Sequence, residues 1–137
     1  MGTIAVFVDT SGSVSQRELN TFLSHVSYLL EEFNPKEVHL IPVDTKVHDP
    51  QVYTSDDLPL KNHVSGGGGT SFAPPFEYIY KNDIEPRCIL YFTDGWASRF
   101  PDKYPDCPTL WVYTEHMETE PPFGETIKMN IKGGKRL

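Results

Sequence analysis

Side chains with oxygen donors stand at three separate places in the sequence, beside apolar runs or glycines. The members of this set are Asp9, Ser11, Ser13, Thr70 and Asp94. The first three come directly after the apolar run of residues 4–8, and the last comes shortly after the apolar run of residues 88–92. Two carboxylates and three hydroxyls form an all-oxygen set, which hard divalent cations prefer. These residue types indicate the binding of a divalent cation, Mg²⁺ first and Mn²⁺ second.

The apolar runs before the two acids predict strands. Residues 4–8 and 88–93 are short and almost continuously apolar, which is typical of strands buried on both faces of a parallel sheet. Between them, Ser15 and Glu18 form a capping box, and apolar residues then recur with the i, i+3, i+4, i+7 spacing of an amphipathic helix. The pattern predicts a helix over residues 15–33 that packs one face on the sheet.

Further strands and a second helix are predicted along the rest of the chain. The remaining predicted elements are strands at 38–43, at 47–53 near the sheet edge, at 110–113 and within 126–131, and a helix at 75–82. Prolines in residues 95–108 predict an irregular connection there instead of a full helix. This order predicts a three-layer, Rossmann-like α/β fold, with an open, mostly parallel sheet of order 3-2-1-4-5-6 and helices on both faces.

In such a sheet the ligand site lies beyond the carboxyl ends of the strands, where the strand order reverses. The first strand and the strand before Asp94 flank that point, so we expect Asp9 and Asp94 to be neighbours. Gly66 to Gly69 lack Cβ atoms and let the backbone before Thr70 approach another loop closely. The predicted fold therefore gathers the oxygen donors at one edge of the sheet.

Composition limits the classes of partner and compartment. A chain of 137 residues with 38% hydrophobic residues has the size and apolar content of one domain. The net charge of −7 disfavours nucleic acid and anionic membranes as partners. No apolar run reaches the ~18 residues of a membrane span, and no signal peptide is evident. We expect a cytoplasmic domain in which Cys88 and Cys107 are reduced thiols.

A known family shares these motifs. Asp9-x-Ser11-x-Ser13, Thr70 after glycines, and Asp94 within the TDG sequence at a strand end together resemble the metal-ion-dependent adhesion site of von Willebrand factor A domains. The resemblance extends over nearly the whole chain. Through DTSGS, GGGGTSF, FTDG and LWVY the chain is most similar to the A-like domain at the carboxyl end of bacterial predicted metal-dependent peptidases.

The resemblance implies a binding function. In this family pattern Ser11, Ser13 and Thr70 are metal ligands, Asp9 and Asp94 act directly or through water, and an acidic side chain of a partner protein fills the open position. It also implies that residues 1–137 are one domain from the C-terminal part of a longer chain, linked to a peptidase or ATPase system. We expect this domain to bind rather than to catalyse.

Other interpretations of the same residues remain. Asp9, Ser11 and Ser13 also suit a turn and helix cap, and metal-assisted hydrolysis at the same cation is the alternative function. Aspartic protease, GxSxG hydrolase and P-loop patterns do not fit, because the second Asp loop, the first glycine and the GK[ST] sequence are missing. The peripheral candidates are Asp44, near the metal or a surface acid, Ser71, and Trp96, a rim contact or a loop anchor.

Overall fold

The computed structural model of the chain describes residues 2–9, 16–43, 47, 50–54, 71–93, 99–113 and 119–128. The described residues form six strands and two helices. The elements are β1 (Thr3–Asp9), α1 (Gln16–Phe33), β2 (Glu37–Val43), β3 (Gln51–Tyr53), α2 (Pro74–Lys81), β4 (Cys88–Thr93), β5 (Thr109–Tyr113) and β6 (Glu125–Lys128). Among the described residues, no helix is both long and apolar enough to cross a membrane.

Within the described residues the strands form one six-stranded sheet of order β3-β2-β1-β4-β5-β6. Only the β2–β3 pair in this order is antiparallel, and β1 lies between its parallel neighbours β2 and β4. The predicted order 3-2-1-4-5-6 is confirmed. The strand order reverses between β1 and β4, which makes the carboxyl ends of these two strands the point of interest for a ligand site.

Alternating residues of β1 face two separate cores. Ile4, Val6 and Val8 belong to the core under α1, whereas Ala5 and Phe7 belong to the core under α2. All five are at most 2% exposed. A strand that is covered on both faces has no solvent-exposed face for polar side chains, which explains the unbroken apolar run that precedes Asp9. The predicted three layers are confirmed.

Helix α1 covers the first face with the predicted apolar stripe. Its buried side chains include Leu19, Phe22, Leu23, Val26 and Leu30, and the Phe22 ring stacks on Phe92 of β4 with centroids 4.4 Å apart. The helix ends at Phe33, and the next residue, Asn34, has a left-handed φ of 49° and donates its backbone N–H to the Leu30 carbonyl at 2.8 Å. Asn tolerates this conformation, and Pro35 cannot continue the helix.

The second face is an aromatic core. Tyr91 stacks on Trp111 with centroids 4.8 Å apart, and the edges of Phe72 and Phe7 meet the Tyr91 ring at 5.3 and 5.4 Å. Helix α2 adds Phe76, which lies 5.1 Å from Phe7. Aromatic pairs in such edge and offset contacts add to the free energy of burial, about 0.5–1.5 kcal/mol each. This core holds the central strands in register below the carboxyl edge.

The third and last strands differ from the sequence predictions, and β2, α2 and β5 each begin one residue earlier than predicted. The third strand is only Gln51–Tyr53, with Val47 in a single antiparallel bridge to Val43, because Pro50 has no N–H to donate to a ladder. The last strand begins at Glu125, one residue early, and the predicted continuation to Ile131 lies outside the described residues. Residues 99–108 contain no helix among the described positions, as the prolines predict.

Candidate functional site

Asp9 is the last residue of β1, at the carboxyl edge of the sheet. Its register partner in β2 is Val43, and strand alternation places it on the face that carries Phe7 and helix α2. The residue is only 6% exposed. A carboxylate withdrawn from water to this extent requires compensation by hydrogen bonds, an opposite charge or a metal ion. Asp9 must therefore have at least one such compensating group close to its carboxylate.

The hydroxyl of Thr93 supplies part of that compensation. Thr93 is the last residue of β4, is fully buried, and donates from Oγ1 to Asp9 Oδ2 at 2.5 Å. This distance lies in the range of charge-assisted O–H···O⁻ bonds, about 2.5–2.7 Å. The bond joins the carboxyl ends of β1 and β4, which are the strands that flank the reversal of strand order. It orients the Asp9 carboxylate from the neighbouring strand β4.

Tyr91 lies deeper on the same face of β4. It pairs with Phe7 in the parallel register and is fully buried. Burial first, and then the negative charge of Asp9, raises the pKa of the Tyr91 hydroxyl well above its ordinary value of 10.0. The phenol is therefore neutral at physiological pH. It adds no second negative charge below the Asp9 carboxylate.

Ser71 is the peripheral candidate that the structure describes. Its Oγ accepts a hydrogen bond from the Ala73 backbone N–H at 3.2 Å, just before α2 begins. Ser71 also forms an isolated parallel bridge with Arg99, and the neighbouring Phe72 N–H donates to the Arg99 carbonyl at 2.8 Å. These bonds fix the chain segment that directly follows Thr70. The Ser71 hydroxyl has a structural role at the entrance of α2.

The other candidates lie outside the described residues. They are Ser11, Ser13, Thr70, Asp94, Asp44 and Trp96. In sequence, Asp94 directly follows Thr93 at the end of β4, and Asp44 directly follows Val43 at the end of β2. Both of these strands pair with β1. The predicted proximity of Asp9 and Asp94 is therefore still a prediction. Among the described positions, no three His, Cys, Asp or Glu side chains form a group suited to a metal ion.

The chemistry of Asp9 is compatible with a hard cation. A carboxylate has about four acceptor positions, so the bond from Thr93 does not prevent ligation by the same group. Carboxylate and hydroxyl oxygens are the donors that Mg²⁺ takes, and Asp9 lies where the fold places ligands. The described part of the site thus fits the group that the sequence motif implies.

Thr93 was not among the candidates chosen from the sequence. The signal is visible in retrospect, since a threonine that ends a buried apolar strand needs a hydrogen-bond acceptor for its hydroxyl. The sequence pattern predicts the strand that ends at Thr93, but it does not identify the acceptor, Asp9, which lies 84 positions away. Only the pairing of β1 with β4 brings the two side chains together.

The comparisons with known proteins identify the family of the chain and agree with its fold. The family model described as VWA-like domain (DUF2201) matches residues 4–130, and the chain belongs to this family. An uncharacterized protein of Thermotoga maritima is 34% identical over 95 residues, which are 67% of this chain and 22% of that protein. The crystal structure of the ArnB paralog VWA2 from Sulfolobus acidocaldarius is similar at 15% identity and a TM-score of 0.62.

The structural match covers 82% of this chain and 34% of VWA2, and it concerns the fold alone. The chain thus spans about a fifth of the length of the Thermotoga relative and about a third of VWA2. The VWA-like fold is generally that of a metal-dependent, protein-interaction module. The expected resemblance to von Willebrand factor A domains is confirmed at the level of family and fold.

Proposed function

We propose that this domain captures an acidic side chain of a partner protein through a bound divalent cation, Mg²⁺ or Mn²⁺. The cation would be held by the predicted adhesion-site set of Asp9, Ser11, Ser13, Thr70 and Asp94. The observation that carries the proposal is the buried Asp9 carboxylate at the end of β1, oriented by the Thr93 hydroxyl where the strand order reverses. In open α/β sheets, ligands bind beyond the carboxyl ends of the strands at the point where the strand order reverses.

The charges of the chain support a role for the cation. With a net charge of −7, the domain by itself repels an acidic ligand. A set with more hydroxyls than carboxylates leaves part of a divalent charge uncompensated, and that remaining charge attracts an incoming carboxylate. The residues of this chain would hold the ion and exclude water from Asp9, while selectivity for the partner would come from the rim, with Trp96 as the candidate.

The setting of the domain is also a proposal. The matched part of this chain covers 22% of the Thermotoga relative and 34% of VWA2, which supports the interpretation that it is one domain of a longer protein. The similarity of its motifs to A-like domains at the carboxyl end of predicted metal-dependent peptidases favours a link to a peptidase or ATPase system in the cytoplasm. In that setting the domain would recruit or orient a protein substrate.

The first test is cation-dependent stability. At a free Mg²⁺ concentration of a hundred times the dissociation constant, binding stabilises the fold by about 2.7 kcal/mol. For a domain of this size the corresponding rise in melting temperature is on the order of 10 °C. Asp9→Ala should abolish the rise, whereas the matched control Asp102→Ala, at an exposed position, should retain it. An unchanged rise in Asp9→Ala would place the ion elsewhere.

The second test is selection of ligands. Displayed random peptides would be bound to the domain in Mg²⁺ and eluted with EDTA. We expect the eluted peptides to share an Asp or Glu, and to lose binding when that residue is changed to Asn or Gln. Peptides that bind equally well in EDTA, or to Asp9→Ala, would contradict a cation-mediated function.

A further inference from the structure

A concave surface lies at the amino edge of the sheet, opposite the carboxyl edge at which β1 ends in Asp9. We call it the amino-edge cleft, and it is formed by the C-terminal end of α2, residues 83–87 and residues 103–108, with a volume of about 720 Å³. The Arg87 backbone N–H in its wall donates to the carbonyl of Thr3, at the start of β1, at 2.7 Å. Six steps of about 3.3 Å along β1 separate Thr3 from Asp9, so the two sites are roughly 20 Å apart.

The walls of the amino-edge cleft are fixed by contacts between its segments. The Tyr80 hydroxyl of α2 donates to the Lys103 carbonyl at 3.0 Å. The ring of Tyr104 packs on Phe123 with centroids 4.7 Å apart, and Tyr104 is still 50% exposed. One aromatic surface is thus anchored from behind and open to solvent. A ring held in this way can accept a planar partner without a large loss of side-chain entropy.

The cleft already holds one cation against an aromatic ring. The Lys103 ammonium lies 5.0 Å from the centroid of the Tyr80 ring, within the range of cation–π attraction. Burial first, and then the negative charge of Asp106, raises the pKa of the Tyr80 hydroxyl. The negative charge of Asp106 therefore lies close enough to the Tyr80 ring to influence it electrostatically.

The charges of the lining favour a cationic guest. Three exposed carboxylates line the cleft, those of Asp83, Glu85 and Asp106. Within the described residues they take part in no ion pair, since the ion pair found there joins His39 and Glu37. Of the two lining cations, Lys103 is over Tyr80, and the Arg87 side chain lies against the backbone of Gly2.

We propose that the amino-edge cleft binds the side chain of an arginine in a partner protein. A guanidinium would stack on the open face of Tyr104 and pair with Asp106, two positions further along the chain. Arginine suits this combination better than lysine, because its planar group stacks on aromatic rings and pairs with carboxylates through a fork of donors. The cleft would then be a second recognition surface, independent of the cation site.

The test uses N-acetylarginine amide as the probe and NMR of backbone amides as the measurement. The matched control is N-acetylcitrulline amide, which has nearly the same shape and no charge. We expect the arginine derivative to shift amide signals of the non-proline residues within 80–87 and 103–108, with weaker or absent shifts for the citrulline derivative. Equal effects of both compounds, or shifts confined to other residues, would overturn the proposal.

Two variants complete the test. Asp106→Asn should weaken binding of the arginine derivative about threefold, the size expected of one exposed ion pair, and Tyr104→Leu should weaken it similarly. Asp102→Asn removes a neighbouring exposed charge outside the lining and should have no comparable effect. Equal losses in Asp106→Asn and Asp102→Asn would show general attraction to a negative surface. Binding should persist in EDTA and in Asp9→Ala, so failure here and failure of the proposed function are separate results.

Discussion

Replacing Thr93 with valine removes the hydroxyl that donates to Asp9 and keeps the branched shape of the side chain. Thr93 is fully buried and Asp9 is 6% exposed, so water cannot easily replace the lost donor. A hydrogen bond to a charged group contributes about 1.5–3 kcal/mol to stability. We therefore expect Thr93→Val to lower the free energy of unfolding by about 2 kcal/mol in metal-free solution.

The measurement is urea unfolding followed by far-UV circular dichroism in the presence of a chelator. A lower midpoint with an unchanged m-value would show a loss of native-state stability. Thr93→Ser is the matched control, because it keeps the hydroxyl and loses a methyl group, at a cost of about 1 kcal/mol. If Ser is more destabilising than Val, packing of the methyl group dominates and the bond to Asp9 is of little consequence.

The same pair of variants reports on the proposed cation site. Partners that orient a ligand typically change metal affinity about 10–100-fold when they are removed. Thr93→Val should therefore weaken Mg²⁺ binding at least tenfold by calorimetry, and Thr93→Ser should stay near the wild-type value. If Thr93→Val binds Mg²⁺ with wild-type affinity while Asp9→Ala does not bind it, then Asp9 binds the ion without being oriented by Thr93.

Two other positions give sharp tests of the fold. Gly124 has a φ of 79°, and a Cβ there would lie 2.5 Å from the Thr109 carbonyl oxygen. Gly124→Ala should therefore lower the free energy of unfolding by about 1–3 kcal/mol, which a lower melting temperature would show. Gly2→Ala is its control and should be nearly neutral, because the nearest atoms belong to the flexible Arg87 side chain. The raised pKa of Tyr91 means that its contribution to stability is complete below pH 10 and decreases as the pH rises towards the folded-state pKa, by about 1.4 kcal/mol per unit. Tyr91→Phe should lose less stability above pH 10 than the wild type in alkaline urea titrations.

The order of the elements could be predicted because two kinds of local signal agree. The apolar run of residues 4–8 has the length of a strand with both faces buried, and the spacing within residues 16–33 is that of a helix with one buried face. Right-handed crossovers and short connections then leave few sheets to consider. Both helices follow from signals within their own segments, and the sheet order follows from the order of the elements together with these connection rules.

The contacts of the site could be predicted only in part. The position of Asp9 at a strand end follows from its own apolar lead-in, but the bond from Thr93 depends on which strand lies beside β1. The amino-edge cleft has no motif at all, because its walls come from two loops and the end of a helix that are close only in the folded chain. Sequence patterns report the neighbours of a residue along the chain, and sites are made of neighbours in space.

The two proposed sites should act independently, and the sheet between them explains why. They lie at opposite ends of β1, roughly 20 Å apart, while ionic strength near 0.15 M screens charges beyond about 8 Å. A divalent ion near Asp9 therefore adds little potential at the amino-edge cleft. The core between them is close-packed around Phe7 and Tyr91, and such cores do not deform continuously when one end binds a ligand. A partner that presents an acidic residue at one edge and an arginine at the other would gain affinity from the fixed separation of the sites, with no conformational change required.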